Sequence, residues 1–113
     1  MAIEDLPDAE IQRLLDYSHA AGLLTNGRHD FRIPILVAEG WAERGYAVLP
    51  TNTLARMFGS TRRTMCIAIK RLLAAGAIRE IGRTENGHPM LAPVLEIGDK
   101  WREAREAYKH GAH

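Results

Sequence analysis

Apolar residues recur along this chain at two spacings, and the change from one to the other separates helices from a hairpin. The stripe Ile11, Leu14, Leu15 and Ser18 predicts a helix over 7–21, with Pro7 suited to a first turn, Asp8 and Glu10 at its positive end and Gly22 closing it. After the turn signal Thr25-Asn26-Gly27, residues 31–44 predict a second helix with Pro34 in its first turn and Ile35, Leu36, Glu39, Trp41 and Ala42 following. Gly45 is its expected C-terminal cap, and the short apolar run 46–49 is a strand candidate closed by Pro50. Thr51 is expected to cap a short helix over 52–58 in which Leu54, Ala55 and Phe58 share a face, and Gly59 then supplies a tight turn. Thr61 is expected to cap a longer helix over 62–75. Its inward stripe is Met65, Ala68, Ile69, Leu72 and Leu73, which leaves Arg62, Arg63, Cys66, Ile67 and Lys70 facing outward. Gly76 stops that helix, and 78–82 and 90–94 are strand-like runs joined across the hairpin signal Asn86-Gly87. A last helix is expected over 99–109, where Ile97, Trp101, Ala104 and Tyr108 follow spacings of four, three and four.

Composition narrows the class. With 113 residues, 46% apolar and 26% charged, the chain predicts one globular domain, 1–113, made of an N-terminal helix and turn (1–30), a core (31–94) and a C-terminal helix (95–113). No apolar run approaches the ~20 residues of a membrane span, and the start Met1-Ala2-Ile3-Glu4-Asp5 lacks the basic and apolar regions of a secretory signal, so a cytoplasmic, nucleoid-associated protein is expected. The single Cys66 reads as a reduced, inert thiol.

The formal net charge of +1 hides a dipolar distribution: residues 1–48 sum to −4, residues 49–83 to +6 and residues 84–113 to −1. The middle block gathers Arg56, Arg62, Arg63, Lys70, Arg71, Arg79 and Arg83 against Glu80 alone, a one-sided arrangement that favours a polyanionic partner.

Helix, tight turn, helix and then a hairpin with a polar, basic tip is the order of a winged helix-turn-helix. The expected fold class is therefore mainly α with a small β-hairpin wing, flanked by N- and C-terminal helices. The stretch 49–78 resembles the DNA-binding core of bacterial winged-helix regulators, GntR-type repressors above all. It carries Leu49-Pro50-Thr51, Leu54-Ala55, Gly59-Ser60-Thr61-Arg62-Arg63-Thr64-Met65, Ala68-Ile69, Leu72 and Gly76-Ala77-Ile78 in that family's order. Similar cores occur in MarR-like regulators and in plasmid and phage replication initiators. Two departures stand out: the interval from Leu49-Pro50-Thr51 to Leu54-Ala55 is one residue shorter than the GntR pattern, and Cys66 stands where that family often has a basic residue. The chain is also too short for the metabolite-binding domain of GntR regulators, so no small-molecule effector domain is expected.

The resemblance implies double-stranded DNA as partner and a transcriptional regulator, a repressor in the family's usual mode, as function. The helix 62–75 would enter the major groove N-terminus first, with Arg62 or Arg63 on guanine and Cys66 and Ile67 against thymine methyls. Thr51, Thr61 and Thr64 would donate to phosphates, with Lys70 beside them. Arg79, Arg83, Asn86 and His88 of the hairpin would reach the adjacent minor groove or backbone. A homodimer is expected, with Ile11 and Leu15 of the first helix and Ile97, Trp101, Ala104 and Tyr108 of the last at the subunit contact. The competing expectations are a DNA-binding part of a replication or partition apparatus and a winged helix used for protein contact only.

Enzyme chemistry finds no support in the motifs. A phosphate-cradling glycine loop, a His-Glu-x-x-His pair and a nucleophile elbow are all missing, and His19, His29, His88, His110 and His113 show no metal-ligand spacing. No metal and no cofactor are expected.

Overall fold

A computed structural model describes residues 5–111; the reading of residues 1–4 as lacking a signal, and His113, lie outside the described residues. The elements are α1 (Asp8–Ala21), α2 (Ile33–Arg44), α3 (Thr51–Phe58), α4 (Arg62–Ala74), β1 (Ile78–Arg83), β2 (Pro89–Pro93) and α5 (Glu96–Lys109). The fold is thus mainly helical with one antiparallel two-stranded hairpin. No helix among the described residues is long and apolar enough to cross a membrane.

The main core is built by Tyr17, Ala21, Ile33, Val37, Ala68, Leu72, Ile78 and Leu91, so that α1, α2, α4 and the hairpin share one interior. Tyr17 lies at its centre: its hydroxyl donates to the Ala77 carbonyl at 2.6 Å, and burial pushes the phenol well above its ordinary pKa. A second cluster of Leu54, Ala55 and Met65, flanked by Leu36, Leu49, Phe58 and Ile69, joins α3 to α4. Between these two helices Gly59 takes φ +61°, a left-handed conformation in which a side chain would be strained.

Ion pairs hold α5 on α1. Arg13 donates to both carboxylate oxygens of Asp99 at 3.1 and 2.8 Å, and Arg102 reaches the buried Asp16 at 3.2 Å. The Arg13 guanidinium holds the Asp99 carboxyl below the usual range. The helices approach closely at Gly98, where a Cβ would sit 2.6 Å from the Tyr17 Cα.

Several sequence expectations are corrected. The buried face of α1 is Leu14, Asp16, Tyr17, Ala20 and Ala21 rather than the stripe Ile11, Leu14, Leu15 and Ser18, and Leu15, expected at a subunit contact, is 58% exposed within the chain. Apolar spacing gives no inward place to Asp16, which is buried where arginines of α5 neutralise it. The second helix begins two residues late, at Ile33. The strand expected over 46–49 reduces to one bridge, Ala47 to Leu91, whose two backbone hydrogen bonds are both 2.8 Å. Thr51 does not cap α3: Pro50 holds that position and Thr51 is the first helical residue. The hairpin strands run to Arg83 and from Pro89, and Thr84 faces His88 across a three-residue loop in which Gly87 alone is left-handed. The last helix starts at Glu96, not 99, so Asp99 lies in its first turn, where it meets Arg13.

Candidate nucleic-acid interface

The N-terminus of α4 is organised by hydroxyls. Thr61 accepts from the Thr64 backbone N–H at 3.1 Å and donates to Thr64 Oγ1 at 2.9 Å, which caps the helix as its sequence position predicts. The Thr61 proton is therefore committed within the cap, while Thr64 keeps its own proton for an external acceptor. Thr51 Oγ1 accepts from Arg62 Nε at 3.3 Å, which leans Arg62 toward α3 and leaves the Thr51 proton free. A cation at the start of a helix, beside a free hydroxyl and the helix's own terminal N–H groups, is an arrangement suited to phosphate.

The exposed surface of α4 divides into two rows. Arg62, Cys66 and Lys70 line a cleft shared with the hairpin, and Cys66 is half-buried there rather than fully outward as expected. Arg63 and Ile67 lie outside that cleft, and Ile67 is 47% exposed. The hairpin supplies Arg83 and His88 to the same cleft, but not Arg79. Strand alternation accounts for the difference, since Glu80, next to Arg79, is the residue that lines the cleft. Asn86 is exposed at the hairpin loop.

Charge within the basic block is not uniformly available. Arg71 is bound by the buried Asp30, whose carboxyl the guanidinium holds below its ordinary range, and Arg83 pairs with Glu80 at 3.1 Å while donating to the Gly87 carbonyl at 2.9 Å. Arg56, Arg62, Arg63, Lys70 and Arg79 have no carboxylate partner among the described residues. The burial of Asp16 and Asp30, and the spending of Arg71, Arg102 and Arg105 on them, were missed by sequence reasoning. The only signal was Gly27, three residues before Asp30, whose N–H donates to the Asp30 carboxylate at 3.2 Å.

The expected subunit-contact residues separate into two groups. Trp101 is half-buried within its own chain, stacked on His19 at 4.9 Å and covered by the Arg105 guanidinium at 4.6 Å. Ile97 is half-buried, whereas Ala104 and Tyr108 are exposed. Ile11 and Leu15 instead border a narrow apolar groove between α1 and α2, with Ile35 and Ala38 opposite.

Compared with known proteins, the chain matches no family model, no curated protein and no solved structure.

Proposed function

We propose that this chain is a sequence-specific double-stranded DNA-binding protein of the winged helix-turn-helix type, a small transcriptional regulator. In this reading α4 enters the major groove, α3 crosses the backbone and the hairpin lies on the adjacent minor groove or phosphates. The observation that carries it is the pairing state of the cations: Asp16, Asp30, Glu80 and Asp99 are each paired with arginines, yet Arg62, Arg63 and Lys70 have no carboxylate partner among the described residues along one exposed helix whose N-terminus is already capped. Arg63 beside the exposed Ile67 makes the base-reading row, one bidentate donor for guanine and one apolar contact for a thymine methyl. Arg62, Thr51, Thr64 and Lys70 make the phosphate row.

We further infer that two copies pair through the α1–α2 face. Leu15, 58% exposed, stands beside a groove of about 130 Å³, so each chain offers both a knob and a hole, as an isologous contact requires. Trp101 is already used in holding α5 to α1 and does not serve as the anchor.

Band-shift titration with random duplex at low and moderate salt tests the reading. Binding that weakens steeply with salt, and a palindrome recovered by selection from a random pool, are the expected results; no duplex binding at low salt overturns it.

A further inference from the structure

We propose that the corner where α1 turns into α2, built by Leu23, Leu24, Arg28, Phe31 and Arg32, is a docking surface for an acidic, leucine-bearing segment of another protein. Leu23 and Leu24 lie just past the end of α1 and are 70% and 45% exposed. Phe31 is 50% exposed, and its Cβ lies 3.3 Å from where a Cβ on Gly22 would stand, which places the ring at the end of α1 where the two leucines begin. Three large apolar side chains open to water at one corner mark an interaction surface rather than scattered exposure.

Charge selects the partner. Asp30, the one acid of residues 22–32, is buried and taken by Arg71, so Arg28 and Arg32 are exposed without a carboxylate partner among the described residues. Arg32 is held over the rings of Phe31 and Phe58 at 5.2 and 5.4 Å, and His29 stacks on Phe58 at 5.5 Å, so the loop is braced before any partner arrives. Phosphate satisfies the arginines and leaves the leucines wet, and a neutral apolar segment leaves the arginines unpaired. An acidic segment with leucine or aromatic side chains meets both. Residues 1–48 sum to −4 in spite of these two arginines, so an extended anionic surface such as a bilayer is repelled by this part of the chain, while a short segment touches only its cationic corner.

The corner is separate from the faces already assigned. Asp30 ties the loop to Arg71, which at 1.5 Å per residue lies ~14 Å along α4 from Arg62 at the end that enters the groove. None of these side chains lines the pairing groove between α1 and α2. A chain seated on DNA therefore keeps this corner open for a partner.

The experiment titrates the full chain, without DNA, into a fluorescein-labelled amphipathic peptide with Glu and Asp on one helical face and Leu and Phe on the other, and follows anisotropy. The expected result is saturable binding with Kd of ~10–100 µM, as suits a small transient interface. Leu23→Ser and Arg28→Glu, both at exposed side chains, should each weaken it about tenfold without lowering the melting temperature, and a Gln and Asn version of the peptide should bind about tenfold more weakly. A Lys version should bind Arg28→Glu better than the wild type. No saturation below about 1 mM, acidic and neutral peptides binding alike, or either variant binding like the wild type overturns the proposal. A smaller sedimenting mass for Leu23→Ser gives the corner to a second copy, Arg28-dependent binding to phosphatidylserine vesicles gives it to lipid, and weaker duplex binding by Arg28→Glu gives it to DNA; each overturns the proposal as well. A chain that binds the peptide and no duplex keeps the docking surface and loses the DNA reading, and the opposite pair of results does the reverse.

Discussion

Arg71 clasps Asp30 with two hydrogen bonds, Nε to Oδ2 at 2.7 Å and Nη2 to Oδ1 at 2.9 Å, and so ties the turn before α2 to the last turns of α4. The carboxylate is 1% exposed and the guanidinium 41%. Asp30→Asn should therefore destabilise the fold by about 2 kcal/mol, below the ~3–5 kcal/mol of a fully buried pair because water reaches Arg71. Because the native carboxyl titrates below its ordinary value, its contribution is complete above the unfolded pKa of ~4 and disappears as pH falls through the native one. Urea melts of both proteins from neutral pH into acid should converge as the pH drops. A gap that persists in acid would assign the loss to shape rather than charge.

Arg63 is the candidate base reader. Arg63→Ala should cost ~1–3 kcal/mol at the preferred operator and relax discrimination at one base pair, whereas Arg62→Ala, on the phosphate row beside Thr51, should weaken all duplexes alike. Competition band shifts with single-base operator variants distinguish them; equal losses on specific and random DNA for Arg63→Ala would reduce it to a phosphate contact.

Glu80 and Arg83 oppose one another in the hairpin, which yields two changes of opposite sign. Arg83→Ala should weaken binding to every sequence and lower the magnitude of the salt slope by about 0.9, one phosphate contact. Glu80→Gln should tighten binding to every sequence by removing the internal competitor. Salt titrations of both variants check the pair, and an unchanged slope for Arg83→Ala would take the hairpin out of the interface.

Gly98 lies where α5 meets the backbone of Tyr17. Gly98→Ala places a methyl group against atoms that cannot swing aside, so the helices must separate, and a loss of ~1–3 kcal/mol is expected for such overpacking. Thermal melts measure the loss, and the amide signals of Tyr17 and Asp99 report whether the α1–α5 contact is where it is felt.

Pairing through the α1–α2 face predicts that Leu15→Glu leaves a folded monomer, since the side chain is exposed within one chain. Trp101→Ala should instead lower stability through the lost stack on His19 while leaving association intact. Sedimentation at micromolar concentration decides: a wild-type mass near the 12.6 kDa monomer ends the proposal.

Much of this protein was legible in the chain itself. Met65, Ala68 and Leu72 repeat with the helix period, Thr61 caps the helix that carries them, and Gly59 and Gly87 occupy backbone conformations that their neighbours avoid, so the helices, the turn and the hairpin are set by interactions within a few residues. The cationic block was equally visible, because charge is counted without knowing the fold. Only the tertiary structure decided which charges are spent and which faces are covered. Asp30 lies 41 residues from Arg71, and Asp99 lies 86 from Arg13, separations at which no periodicity or spacing carries a signal. The same holds for Asp16, which local pattern places outside. Once α5 brings Arg102 and Arg105 over α1, burial of the aspartate is compensated.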